Sequence, residues 1–112
     1  MSKANNYPDE NEDLPLITVG ITCYNAADTI SRAIDSALAQ NWPNLELLVL
    51  DDGSEDSSCE LIEKKRTVDS RVQLIKNTKN FGCSAARNTL IDAANGEFLA
   101  FFDDDDVSRS DR

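Results

Sequence analysis

Four consecutive aspartates, Asp103, Asp104, Asp105 and Asp106, directly follow the apolar run Phe98-Leu99-Ala100-Phe101-Phe102. A short apolar run bounded by polar residues suits a buried strand, so the carboxylates would stand together at a strand end. Like charges crowded in this way repel one another, and a folded domain that keeps them there has reason to bind a cation. Carboxylate oxygens suit hard divalent ions such as Mg²⁺ and Mn²⁺, and Mg²⁺ commonly fills its remaining positions with water and substrate phosphates. The chemistry indicated is a metal that carries a phosphorylated ligand. A solvated acidic tail is the plainer competing reading. A calcium-binding EF-hand fits poorly, because a loop counted from Asp103 would need glycine where Ser108 stands.

Three further polar clusters share this placement after apolar runs: Thr22-Cys23-Tyr24-Asn25, Asp51-Asp52-Gly53-Ser54, and residues 77–84. The elements that must position them follow from periodicity. Residues 16–21, 45–50 and 72–75 read as strands, with 97–102 as the fourth. Between them, apolar positions at helical spacing predict a helix from residue 26 to about 40, buried through Ile30, Ala33, Ile34, Ala37 and Leu38 and capped by Asn25 or Asp28. A second helix spans about 59–68, with Leu61 and Ile62 inward. A third covers about 85–94, packed through Ala86, Leu90, Ile91 and Ala94 and closed by Asn95-Gly96 with the glycine left-handed. Strands alternating with helices predict an α/β, Rossmann-like parallel sheet covered on both faces. Ligands bind beyond the carboxyl ends of the strands in such sheets, where all four polar clusters would gather.

The 112 residues suffice for one domain, with residues 1–14 read as a disordered acidic leader and the folded part spanning 15–112. A net charge of −10 and a pI near 4.2 argue against a nucleic-acid partner and against anionic lipid. No apolar run is long enough to span a membrane and no signal peptide is visible. Cys23, Cys59 and Cys83 match no zinc or redox spacing, so reduced thiols and a cytoplasmic location are expected.

The absence of histidine removes serine and cysteine triads. No G-x-G-x-x-G follows the first strand and no P-loop is present. A receiver-type phosphoacceptor pocket would need acidic residues behind the first strand and a lone aspartate after the third, and neither is found. What remains is a nucleotide recognised by polar side chains, with its diphosphate held by a metal.

Pro15-Leu-Ile-Thr-Val-Gly-Ile-Thr-Cys-Tyr-Asn25, Leu38-Ala-Gln-Asn-Trp-Pro-Asn-Leu-Glu-Leu-Leu-Val-Leu-Asp-Asp-Gly-Ser54, Asn80-Phe-Gly-Cys-Ser-Ala-Ala-Arg-Asn88 and Gly96-Glu-Phe-Leu-Ala-Phe-Phe-Asp-Asp-Asp-Asp106 together resemble the donor-binding half of family 2 glycosyltransferases with the GT-A fold. The resemblance implies a sheet incomplete after its fourth strand and an inverting transfer of sugar from a nucleotide-diphospho-sugar, such as a UDP-sugar, to a glycan or lipid-linked acceptor in polysaccharide or cell-envelope synthesis. It places Thr22, Tyr24 and Asn25 at the nucleobase pocket, Tyr24 flanking the base. Asp52 would accept a base N–H, with Asp51 beside it. Asp104 would face the ribose or sugar and Asp105 would ligate Mg²⁺ or Mn²⁺, with Asp103 an alternative within the tetrad. Arg87 would approach phosphates or sugar, the alternative being a surface ion pair. The general base is expected beyond Arg112. Plain turn and cap roles remain open for Thr22, Asn25 and Asp52, as does a non-catalytic nucleotide- or metal-binding module for the chain.

Overall fold

A computed structural model of the chain describes residues 15–103. Four strands, β1 (Ile17–Cys23), β2 (Leu45–Asp52), β3 (Val72–Asn77) and β4 (Phe98–Asp103), alternate with three helices, α1 (Ile30–Leu38), α2 (Ser58–Val68) and α3 (Cys83–Ala93). The strands form one sheet in the order β3-β2-β1-β4, every neighbouring pair parallel. The expected α/β architecture is present, and residues 1–14 lie outside the described part.

Side chains alternate across a strand, and both faces of β2 are apolar because both are covered. Leu47 and Val49 pack with Val19 and Ile21 of β1 against Ile30, Ile34 and Ala37 of α1 and Ile62 of α2. Leu48 and Leu50 meet Ala86 and Leu90 of α3 on the other face. Ile21, Leu47, Leu50 and Leu90 are fully buried, each contributing about 1.5–3 kcal/mol.

The differences from the sequence reading have physical causes. Strands β1, β2 and β3 each run about two residues further, so Asp51 and Asp52 end a strand instead of beginning a turn. Helix α1 starts at Ile30, with Thr29 at the cap and no side-chain cap bond, instead of at residue 26 under Asn25 or Asp28. The backbone N–H groups of Asn25, Ala26 and Ala27 instead donate to Ser54 Oγ, Ser58 Oγ and Asp56 Oδ2, which fastens the loop after β1 to the loop after β2. Ile91 is half exposed and not a packing residue. Helix α3 ends with Ala94 extended, and Gly96 is not left-handed. Glycine is needed at 96 for a different reason: a Cβ there would stand 2.7 Å from Leu16 O, Thr18 N and Thr18 Oγ1.

That close approach belongs to a polar lock at the amino ends of the strands. Thr18 Oγ1 donates to Glu46 Oε2 at 2.6 Å and accepts from Gly96 N at 2.9 Å, while Asn95 donates to Glu46 through N (2.8 Å) and Nδ2 (3.2 Å). Partial burial pushes the Glu46 carboxyl up, but the Thr18 and Asn95 donors outweigh it and hold the group below its ordinary range.

Candidate functional site

The carboxyl ends of the strands bring three of the polar clusters together. In the sheet register Cys23 stands beside Asp51, Asp52 beside Asn77, and Thr22 beside Asp103. A cavity of about 290 Å³ opens at this edge, lined by Thr22, Cys23, Tyr24, Asp52, Asn80, Gly82, Cys83 and Ala86. A larger hollow of about 560 Å³ runs along β4 beside Trp42 and Leu45, but its lining carries no titratable group. The smaller cavity is the one that holds expected residues from both β1 and β2, Thr22, Tyr24 and Asp52.

Asp52 is its central group. The side chain is 4% exposed, and its carboxylate accepts from Asn77 Nδ2 (2.9 Å) and Phe81 N (3.0 Å) on Oδ1 and from Gly82 N (2.9 Å) on Oδ2. Burial raises its pKa, but the three donors overcome it, so the carboxyl sits below its ordinary value and stays ionised at neutral pH. An ionised carboxylate has roughly four acceptor positions. Among the described residues three are taken. The same bonds hold the loop after β3 as a wall of the cavity. Gly53, with φ +79°, lets that wall come close: a Cβ there would lie 2.5 Å from Lys79 C and 2.7 Å from Asn80 N.

Of the remaining expected residues, Thr22 and Tyr24 line the cavity, with Tyr24 45% exposed. Asp51 is fully buried outside the cavity lining, on the α1–α2 face by strand alternation. Its Oδ2 accepts from Ser54 N and its Oδ1 has no hydrogen-bond partner. Asn25 also lies outside this cavity. It adopts φ 49°, and its Oδ1 accepts from Glu55 N at 2.8 Å, so in this structure it joins two loops. Arg87 is one residue from the cavity wall, its guanidinium carbon 5.2 Å from the centre of the Phe101 ring. The backbone of Asp103 ends β4 next to Thr22, whereas Asp104 and Asp105 lie outside the described residues. Among the described residues no group of three His, Cys, Asp or Glu could hold a metal, and no helix is long and apolar enough to cross a membrane.

Sequence reasoning assigned no role to Asn77, Asn80 or Cys83. The signal available was the Asn80-Phe81-Gly82-Cys83 stretch between a strand and a helix, but only the fold shows that it crosses above Asp52.

A parallel sheet covered by helices on both faces, with a cavity at its carboxyl strand ends, defines a Rossmann-like α/β domain. Residues 18–112 match the family model described as glycosyl transferase family 2, and the chain belongs to that family. It is 43% identical over 105 residues to the succinoglycan biosynthesis protein ExoO of Rhizobium meliloti (strain 1021), covering 94% of this chain and 30% of that protein. It is 39% identical over 93 residues to WfaP of Escherichia coli, a UDP-Glc:alpha-D-GlcNAc-diphosphoundecaprenol beta-1,3-glucosyltransferase, covering 83% of this chain and 36% of that one. Among solved structures it superposes on the mannosyltransferase PcManGT from Pyrobaculum calidifontis, in complex with GDP-Man and Mn²⁺, with a TM-score of 0.77 and 28% identity over 88% of this chain and 30% of that chain. Its sheet and helices are those of GT-A glycosyltransferases. The chain thus spans about a third of the length of the proteins it matches.

Proposed function

We propose that the chain binds the donor of a glycosyltransferase that moves a sugar from a nucleotide diphosphate, of the uridine type, to a glycan or lipid-linked acceptor in polysaccharide or cell-envelope synthesis. The observation that carries this reading is the cavity at the strand ends, where Tyr24 offers a flat face and Asp52 has one acceptor position left for a base N–H. Uracil presents a single N–H on its pairing edge, and the names of two relatives include UDP-Glc.

Asp105 is the ligand proposed for Mg²⁺ or Mn²⁺, with Asp103 and Asp104 beside it toward ribose and sugar. The donor set fits, since aspartate oxygens are hard ligands. When bound, the ion supplies Lewis-acid stabilisation of charge on the departing diphosphate. In this reading Thr22, Tyr24 and Asp52 orient the nucleoside, and Arg87, next in sequence to the lining residue Ala86, is the residue proposed for phosphates or sugar. Attack of an acceptor hydroxyl from the opposite face would invert the anomeric centre, with the general base belonging to the acceptor-binding part of a longer protein. The three cysteines are free thiols, which suits the reducing cytoplasm.

Titration calorimetry of the chain with UDP, with and without MnCl₂, tests the reading. Mn²⁺-dependent binding is expected. It should be lost in Asp52→Ala and should lose its Mn²⁺ dependence in Asp105→Ala, with circular dichroism checking that each variant is folded. A folded wild-type chain that binds no UDP would refute donor binding, and unchanged binding in Asp105→Ala would refute the metal assignment.

A further inference from the structure

We infer that Asn77 is a positioning residue that sets which nucleobase the Asp52 cavity admits, a reading that rests on the donor-binding function proposed above. Asn77 ends β3 opposite Asp52 in the sheet register, and its Nδ2 donates to Asp52 Oδ1 at 2.9 Å. The orientation of the amide is unambiguous, because an ionised carboxylate can only accept. Asn77 does not line the cavity, so it acts through Asp52.

Its effect follows from counting acceptors. Asn77 Nδ2 and Phe81 N together saturate Oδ1, and Gly82 N occupies half of Oδ2. A base that offers one N–H can be satisfied by the remaining half. Guanine offers two adjacent donors on its pairing edge and pairs best with a carboxylate that has both oxygens open. With Oδ1 closed, one of those donors enters a buried site without a partner, which costs about 1–3 kcal/mol, or roughly 5- to 150-fold in affinity. Asn77 thereby favours a uracil-type base over a guanine-type base although it touches neither.

The charged and titratable groups around Asp52 leave this accounting intact. Tyr24 comes from the end of β1, and Cys83 comes from the start of α3. Lys79, in the loop, holds its ammonium 5.4 Å from the centre of the Phe81 ring. Asp51, the adjacent acid on β2, lies on the opposite face of the sheet.

Calorimetry of the chain with UDP and with GDP, in MnCl₂, provides the test. Wild type should bind UDP more tightly than GDP. Asn77→Ala opens one position on Oδ1, so UDP affinity should fall roughly tenfold, as for loss of a charged hydrogen bond, while the UDP-to-GDP preference narrows or reverses. Asn77→Asp keeps the shape but sets a second carboxylate against Asp52. Its UDP affinity should be low at pH 7.5 and recover as the pH falls toward 5.5 and the pair takes up a shared proton, a recovery not expected from the wild-type Asp52, which stays ionised over that range. A merely structural role would weaken both nucleotides equally and give no recovery in acid. Wild-type binding of UDP with the preference unchanged in Asn77→Ala and no acid recovery in Asn77→Asp would overturn this inference alone. No nucleotide binding by folded wild type would overturn the donor-binding reading with it.

Discussion

Replacing Gly53 with alanine should injure the domain in two separable ways. At φ +79° an L side chain pays the left-handed penalty, about 1–2 kcal/mol. The new Cβ would also stand 2.5 Å from Lys79 C, 2.7 Å from Asn80 N and 2.8 Å from Lys79 Cα, all backbone atoms that cannot rotate away. The loop must therefore shift, and the bonds from Phe81 N and Gly82 N to Asp52 lengthen or break. Hydrogen bonds to a charged acceptor contribute about 1.5–3 kcal/mol each, and water restores part of this because the loop is exposed. The sum is about 3–5 kcal/mol, set against a total of about 5–15 kcal/mol for a domain. Gly96→Ala is the matched control, with comparable backbone clashes at 2.7 Å but at the opposite end of the strands. Urea unfolding should show both variants destabilised, whereas UDP calorimetry on the folded fraction should show affinity weakened only in Gly53→Ala. An unfolding midpoint for Gly53→Ala equal to that of wild type would refute the close approach. Equal loss of UDP affinity in the two variants would refute the coupling between this loop and the cavity.

Leu90→Ala should cost about 2–5 kcal/mol by urea unfolding, while Ile91→Ala, half exposed on the same helix, should stay within about 0.5 kcal/mol. The carboxyls of Glu46, Asp52 and Asp69 all titrate below their ordinary values. For all three, desolvation opposes the lowering; hydrogen bonds from Thr18 and Asn95, from Asn77, Phe81 and Gly82, and from Arg71 respectively prevail. A depressed folded-state pKa gives stability that is complete above the unfolded value and is lost as pH falls through the folded one. The urea midpoint should therefore hold near pH 6 and drop below about pH 4, with a shallower drop in Glu46→Gln, and a midpoint independent of pH down to 3 would contradict the assignment.

The order of strands and helices was legible because each β run is short, aliphatic and bounded by turn residues, and because Ile30, Ala33, Ile34 and Ala37 repeat at helical spacing. The convergence of Thr22, Tyr24 and Asp52 followed from parallel topology alone. The element ends were not legible, because long-range bonds set them. Residues 25–27 look like a helix start until Ser54, Asp56 and Ser58 take their N–H groups. Likewise Asn95-Gly96 reads as a helix stop until Thr18 and Glu46 explain the small residue. Residue pattern alone does not separate the adjacent aspartates, which only the family resemblance did by giving the acceptor role to Asp52; alternation across β2 places Asp51 on one face and Asp52, bonded to the loop, on the other.

Each end of the sheet holds a carboxylate on three donors, and the two ends differ in the space beside it. At the amino ends, Glu46 spends its carboxylate on Thr18 and Asn95, and Gly96 is packed so closely that not even a methyl group fits. With no room for even a methyl group at Gly96, this lock anchors β4 to β1 and β2 and opens on no space of its own. At the carboxyl ends, Asp52 likewise takes three donors but stands beside a cavity of about 290 Å³, and Tyr24 is 45% exposed. Leaving a buried charge partly unsatisfied is costly. Under the donor-binding function proposed above a ligand would offset that cost at Asp52, whose three donors keep the carboxylate ionised and aligned.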